Sequence, residues 1–93
     1  MKLPTKYDKL TPAEKREVRM EYMVLQGRLC YFCKRNLEGP ADETVLAKKI
    51  KPHLYPEGFF KHPVHLHHNH VTGLTLGAVH NYCNAVLWEY HGE

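Results

Sequence analysis

The sequence predicts a small α+β domain that a bound metal ion helps to hold together. Three observations lead to this: a helix-start signal near the N-terminus, two short apolar stretches near the C-terminus, and two pairs of metal-binding side chains. The 93 residues suffice for one domain with a marginal hydrophobic core. We therefore expect a single domain over 1–93 in which metal binding supplements the core.

The first helix is predicted from its N-terminal signal. Thr11 and Glu14 have the spacing of a capping box, and Pro12 suits the first helical position. The helix should run from Pro12 to about Gln26, and Gly27 should end it.

The spacing of side chains along this helix predicts which side is buried. Val18, Tyr22 and Leu25 recur at helical spacing and are expected to face the core. Three basic residues should lie largely on the other side: Lys15, Arg16 and Arg19.

The rest of the chain is predicted to alternate between turns and short regular elements. A tight turn at 28–35 and a loop at 36–41 precede a short helix at 42–51. The segment 52–63 should be an irregular loop, because it contains three prolines and Gly58. Strands are expected at 64–68 and 74–79, with a turn at 69–73, and a terminal helix at 81–90. Phe59, Phe60 and Trp88 are expected to be core residues.

The net charge of +3 conceals an uneven distribution. Residues 1–35 carry nine Lys/Arg and four Asp/Glu, whereas residues 36–93 carry four and six. All eight histidines lie in the second part. The basic first part either meets an anionic partner or only keeps the protein soluble, and charge alone does not choose between these readings.

Composition also indicates the compartment. No apolar run reaches membrane-spanning length, and the first residues lack the apolar stretch of a signal peptide. Three cysteines, an odd number, argue against a disulfide framework and for metal binding. We expect a cytoplasmic protein without membrane partners.

The first chemical motif is Cys30-x2-Cys33 together with His80-x2-Cys83. A two-residue gap lets two ligands reach one ion from a single turn, and four such ligands suit tetrahedral zinc. We expect a structural zinc that joins the N-terminal turn to the start of the terminal helix. The alternative is that the cysteines are buried thiols and His80 a surface residue.

The second motif combines His67, His68 and His70 with Asn84. Imidazole can take a proton from water, and imidazole and carboxamide groups can bind a divalent cation, so the set suits phosphodiester hydrolysis. Strand alternation puts His67 and His68 on opposite faces, and they can share a site only if the strand ends or twists there. The alternative is a metal-binding surface without catalysis.

The remaining histidines are expected to be ordinary loop or surface residues. They are His53, His62, His65 and His91, of which His65 lies near enough to the cluster to contact phosphate.

The stretch 64–88 resembles the ββα-metal, or HNH, nuclease finger, most closely the bacteriophage recombination endonuclease VII branch. The matching motifs are Cys30-Tyr31-Phe32-Cys33, His67-His68-Asn69-His70-Val71-Thr72-Gly73 and Leu76-Gly77-Ala78-Val79-His80-Asn81-Tyr82-Cys83-Asn84. The resemblance covers about a third of the chain, in the family's order.

The resemblance implies a role for each matching position. His68 falls at the general base, Asn84 at the helix ligand of the catalytic metal, and His67 at the strand ligand, while His70 is an accessory group. The cofactors implied are structural Zn²⁺ and a catalytic Mg²⁺, Mn²⁺ or other divalent ion. The expected parts are a basic N-terminal helix region at 1–28, a zinc-stapled body at 30–83 and the ββα-metal finger at 64–90.

The chain departs from the family pattern at three matching positions. His67 stands where the family has Asp, Leu76 where it has Arg, and His80 where it has Cys. It also ends soon after the terminal helix, without the long C-terminal region of endonuclease VII. The departures favour nicking or general DNA cleavage over junction resolution.

The expected function is metal-dependent hydrolysis of DNA, in the host cytoplasm if a phage encodes the protein. Two alternatives are an inactive zinc-stapled DNA-binding module and a phage protein that binds a host protein. Both a monomer and a homodimer fit the sequence. The residues expected to contact DNA phosphates are Lys15, Arg16, Arg19, Arg28, Lys34 and Arg35.

Overall fold

A computed structural model describes residues 2–92 of the chain. Its helices are α1 (Pro12–Leu25), α2 (Glu43–Leu46) and α3 (Asn81–His91), and its strands are β1 (Val64–His68) and β2 (Thr75–His80). Short 3₁₀ turns occupy Tyr7–Lys9, Pro52–Leu54 and Phe59–Lys61. The predicted α+β class is confirmed, and the order helix, hairpin, helix agrees with the sequence.

Helix α1 begins with the predicted capping box. The Thr11 hydroxyl accepts a hydrogen bond from the Glu14 backbone N–H at 3.2 Å, and the Glu14 carboxylate accepts from the Thr11 N–H at 2.9 Å. The helix ends at Leu25, and Gly27 follows with a φ of 63°. The positive φ of Gly27 is the left-handed conformation that commonly ends a helix.

The predicted burial of α1 is wrong in its last turn. Val18 is fully buried, but Leu25 is 69% exposed. Gln26 takes the inward position instead, because its side-chain amide accepts from the Ala78 N–H at 2.8 Å and donates to the Ala78 carbonyl at 2.9 Å. These two bonds hold the end of α1 against β2.

The orientation of the basic residues on α1 also differs from the prediction. Lys15 and Arg19 are half-buried and line a cleft beside the hairpin, whereas Arg16 is exposed as expected. The inward side of α1 contains the buried Val18 and the half-buried Tyr22, and Lys15 and Arg19 are half-buried beside it.

Helix α2 is much shorter than predicted. The Asp42 carboxylate accepts from the Thr44 N–H at 3.1 Å and starts the helix, but only four residues follow. The chain then turns away, and the Lys51 N–H donates to the Glu89 carboxylate of α3 at 2.8 Å. A contact with another element thus replaces the continuing helical hydrogen bonds.

The hairpin contains a register shift next to the histidine cluster. Strands β1 and β2 are antiparallel, with His67 opposite Gly77 and His68 opposite Thr75, which leaves Leu76 as an extra residue. Such a bulge bends and twists a strand locally. The register shift falls at the step from His67 to His68. This is the step at which the sequence predicts a twist if both histidines belong to one site.

The N-terminal segment lies alongside the hairpin turn, which the sequence did not predict. Lys6 forms an isolated β-bridge with Leu74, and the Tyr7 N–H donates to the Gly73 carbonyl at 2.9 Å. The Thr75 N–H donates to the Thr5 carbonyl at 2.9 Å. This pairing brings Tyr7 to the end of β1.

The core joins the cysteine turn, α2, β2 and α3. Its buried residues are Cys30, Leu37, Ala41, Val45, Ala78, Val79, Cys83, Val86 and Leu87. Trp88 was predicted to belong to this core but is 43% exposed. Trp88 follows Asn84 by four residues, and both side chains line one cleft beside α3.

Within residues 2–92, no helix combines the length and the apolar character needed to cross a membrane.

Gly77 is predicted to be essential for the packing of β2. A Cβ atom at this position would lie 2.7 Å from the Gln26 side-chain oxygen and 2.9 Å from a ring carbon of Tyr31. We expect Gly77→Ala to lower the free energy of unfolding by about 1–3 kcal/mol, as overpacking does. Urea denaturation measures this, with Gly39→Ala as control because its nearest atom is 3.8 Å away. Equal stability of the two variants would contradict the close approach.

Candidate functional site

Four metal-binding side chains meet where the cysteine turn contacts the start of α3. They are Cys30, Cys33, His80 and Cys83, and their ligand atoms all lie within 4.8 Å of one another. Cys30, His80 and Cys83 are buried, and Cys33 is half-buried. The cluster is a potential zinc site, with the ligands predicted from the sequence.

The local backbone explains how Cys30 and Cys33 face the same point. The Cys30 N–H donates to the Arg35 carbonyl at 2.8 Å, and Lys34 adopts a left-handed conformation that reverses the chain. The Phe32 N–H donates to the Cys30 sulfur at 3.4 Å. This bond stabilises negative charge on the sulfur, as a metal ligand requires.

His80 is fixed by its position and by a second hydrogen bond. It ends β2 and is the N-cap residue of α3. Its Nε2 lies 2.9 Å from the Asn36 carbonyl oxygen, which can only accept, so Nε2 carries the proton and Nδ1 is the free ligand atom.

Distances to Nδ1 of His80 agree with tetrahedral zinc. This atom lies 3.4 Å from the Cys33 sulfur and 3.6 Å from the Cys83 sulfur. In a tetrahedral site with usual Zn–N and Zn–S bond lengths, a nitrogen and a sulfur ligand are separated by about 3.6 Å. The side chains therefore need little movement to bind zinc.

A hydrogen bond between the Cys83 and Cys30 thiols shows how close the three sulfurs are, and this closeness favours binding of a cation among them. A hydrogen bond from Cys83 lowers the pKa of Cys30, and nearby backbone N–H groups lower it further against the effect of burial. The same hydrogen bond, with burial, raises the pKa of Cys83. Three sulfurs this close cannot all carry negative charge unless a positive ion lies among them.

A second group of side chains connects β1 to α3. The His67 Nδ1 and the Asn84 Oδ1 are 3.2 Å apart, and the Asn84 Nδ2 donates to the His65 Nδ1 at 3.2 Å. The bond to His65 fixes the orientation of the amide, so that its oxygen points to His67. His65, expected to be a loop or surface residue, is half-buried on the strand instead.

The geometry of His67 and Asn84 is compatible with a shared cation. Two ligand atoms at about 2.1 Å from one ion, at a right angle, are about 3.0 Å apart. The observed 3.2 Å is close to this separation. The same distance fits a hydrogen bond that the His67 Nδ1–H donates to the Asn84 oxygen, which can only accept, so a bound cation would replace that proton. The pair offers one nitrogen and one oxygen ligand, and a cation held by only two protein ligands keeps positions for water and substrate.

His68 has different neighbours from His67. Its ring stacks on Tyr7 with centroids 3.8 Å apart and an interplanar angle of 10°, and the His70 ring lies at 4.5 Å. Burial lowers the pKa of His68, and the nearby His70 and His67 lower it further. The neutral form, which can accept a proton, is therefore favoured at neutral pH.

His68, His70 and Asn84 line one cleft of about 470 Å³. His67 is 1% exposed and does not line this cleft, although it contacts Asn84, which does. Lys15 and Arg19 of α1 also line the cleft. Among the described residues of its lining there is no Asp or Glu, so the cleft suits an anion.

Four of the six basic residues predicted to contact DNA do not line the cleft. Arg16 is exposed on α1, Arg28 lies 3.5 Å from the Glu38 carboxylate, and Arg35 forms a 2.9 Å ion pair with Asp42. Lys34 donates to the Tyr31 carbonyl at 2.8 Å.

The sequence interpretation left three residues out of its proposed site: Tyr7, Trp88, and His65, to which it gave only a contact with phosphate. Tyr7 lies in a segment without periodic pattern, so no local signal indicated it. His65 is two residues before His67, and the period of a strand places both on one face. Trp88 is four residues after Asn84, and helical spacing places both on one side. Two of the three could therefore have been found.

Comparisons of the chain with protein-family models, curated proteins and solved structures find no match. The resemblance to HNH nucleases stays a prediction that depends on the motifs and the local geometry.

Zinc binding can be tested directly. We expect about one tightly held zinc per chain by elemental analysis, because four ligands converge on one point. Cys83→Ser should lose the zinc and lower the melting temperature sharply, since metal binding contributes to folding in small domains. His53→Ala, an exposed histidine outside the cluster, should keep both. A folded wild-type protein without zinc would contradict this assignment.

Proposed function

We propose that the protein is a zinc-stabilised, metal-dependent endonuclease that hydrolyses DNA phosphodiester bonds. The observation that carries the proposal is the 3.2 Å pairing of His67 with Asn84 next to a cationic cleft that His68 lines. A cation-binding pair, a neutral imidazole and two basic side chains in one place are the groups that phosphodiester hydrolysis needs.

In this proposal His68 acts as the general base. Its neutral imidazole takes a proton from water, and the water oxygen forms a bond to phosphorus. The bond from phosphorus to one ester oxygen breaks, and that oxygen leaves with the electron pair and takes a proton from solvent to become a hydroxyl group. A divalent cation bound by His67 and Asn84 would act as a Lewis acid on the phosphate. The Tyr7 ring, stacked on His68, holds the imidazole in one orientation.

Lys15 and Arg19 would bind the DNA backbone. Both belong to the cleft lining, and neither has an acidic neighbour in that lining. Contacts of this type give affinity and salt dependence but no choice of sequence. The Lys15 ammonium also lies 4.1 Å from the centre of the Tyr7 ring. The same Tyr7 ring stacks on His68.

The proposed zinc would have a structural role only. Four protein ligands leave tetrahedral zinc without an open position for substrate. Asn84 directly follows Cys83, so a zinc bound to Cys83 also fixes the first turn of α3, from which Asn84 reaches His67.

Cleavage is tested by incubating supercoiled plasmid with the zinc-loaded protein and added Mg²⁺, Mn²⁺ or Ni²⁺. We expect conversion to nicked or linear DNA, and a loss of about 10²–10⁴-fold in rate for His68→Ala, the usual effect of removing a general base. His53→Ala is the matched histidine control and should cleave at the wild-type rate. Circular dichroism and zinc content show whether each variant is folded.

Other outcomes separate the remaining hypotheses. Salt-sensitive DNA binding without cleavage in any of these metals would favour a DNA-binding module. Absence of both binding and cleavage would favour a protein partner. Undiminished cleavage by folded His68→Ala would exclude His68 as the base.

The cleft makes a separate prediction about DNA affinity. In the His68→Ala background, which prevents cleavage, Arg19→Ala should weaken binding and reduce the slope of log K against log salt by about 1, since one phosphate contact is lost. Arg28→Ala removes the same charge outside the cleft and should leave the slope unchanged. Equal effects of the two substitutions would show that the cleft is not where DNA binds.

A further inference from the structure

One side of the cleft is aromatic. Tyr55, Phe59 and Trp88, here called the aromatic wall, all line it. The Tyr55 ring lies 4.6 Å from Phe59 and 5.8 Å from Trp88, and Phe59 is 4.6 Å from the His65 ring. Trp88 remains 43% exposed. The wall is therefore a packed group of rings with an accessible indole at its edge.

The aromatic wall is next to the candidate catalytic groups. Trp88 follows Asn84 by one helical turn, and residues at this spacing have Cβ atoms about 5–6 Å apart. His65 contacts both Phe59 of the wall and the Asn84 amide. Any molecule bound between Lys15, Arg19 and Asn84 would have Trp88 within reach of its neighbouring groups.

The combination of cations with an exposed indole on an aromatic wall indicates the class of ligand. Cationic side chains and aromatic platforms together are typical of proteins that bind single-stranded nucleic acid, where bases stack on the rings and the backbone follows the charges. A regular duplex offers phosphates and sugars at its surface, while its base faces are already stacked. A neutral apolar peptide would not use Lys15 and Arg19.

We propose that the cleft binds DNA with unpaired bases, and that one base next to the bound phosphate stacks on Trp88. This inference rests on the proposed function only in taking DNA as the ligand of the cleft, and it does not require cleavage. The substrate would then be single-stranded, gapped or frayed DNA in preference to intact duplex.

The experiment uses the one tryptophan of the chain as a probe. The zinc-loaded His68→Ala protein is titrated with an oligothymidylate, with a duplex of equal length, and with an oligonucleotide of abasic sites. All three ligands carry backbone phosphates, but only the first offers unpaired bases. We expect saturable quenching of Trp88 fluorescence by the oligothymidylate and weaker binding of the other two.

Variants of Trp88 test the stacking itself, with affinity measured by anisotropy of labelled DNA. Stacking of one base contributes about 1–3 kcal/mol, so Trp88→Ala should weaken oligothymidylate binding about 5- to 150-fold. Duplex binding should change by less than about twofold, since phosphate contacts are kept. Trp88→Phe should retain most of the affinity. Tyr90→Ala, an exposed aromatic residue of α3 outside the cleft lining, is the matched control.

Equal affinity for oligothymidylate, duplex and abasic DNA, or unchanged oligothymidylate binding by folded Trp88→Ala, would overturn the inference. Plasmid cleavage could still occur in that case, and the proposed function would stand. If the wild-type protein binds oligothymidylate through Trp88 but never cuts DNA, the inference is supported and the proposed nuclease function is contradicted.

Discussion

The architecture depends on the close approach of the cysteine turn to the junction of β2 and α3. Cys30 and Cys33 come from one side of this contact and His80 and Cys83 from the other, with all ligand atoms within 4.8 Å. His80 ends the strand and caps the helix, so the contact sets where α3 begins and in which direction it leaves the hairpin. A chain of this size has few other ways to fix that direction, because its core is small.

The position of Asn84 follows from this contact, and a bulge in β2 lies opposite the histidines of β1. His65 and His67 lie on the strand face that meets Asn84, as the period of a strand requires. A regular strand would direct His68 away from them. Leu76 is an extra residue in β2, opposite the step from His67 to His68. His68 and Asn84 line the same cleft, whereas His67 reaches that cleft only through its contact with Asn84.

The sequence predicted the elements that have strong local signals. The capping box at Thr11, the alternating residues of β1 and the spacing of the four Cys and His ligands each follow from chemistry within a few neighbouring residues. What it could not predict depends on contacts between distant segments. Gln26 replaces Leu25 on the inward side because it bonds to Ala78, and the segment after α2 reaches α3 through the bond from Lys51 to Glu89.

The same distinction applies to the candidate site. The four Cys and His residues of the potential zinc site could be predicted from their spacing, whereas the stacking of Tyr7 on His68 requires the N-terminal segment to pair with Gly73 and Thr75. Trp88 is 43% exposed and lies on the side of α3 that carries Asn84. Helical spacing from Asn84 was the available signal, and the general tendency of tryptophan to be buried outweighed it.

The charge of the cleft constrains how the proposed chemistry could operate. An imidazole and a carboxamide are neutral ligands, so a divalent cation held by His67 and Asn84 would keep its full charge and polarise phosphate strongly. With no carboxylate in the described lining and with Lys15 and Arg19 nearby, negative charge has to come from the substrate. Binding of cation and DNA phosphate would therefore support each other, because each reduces the unfavourable charge that the other meets.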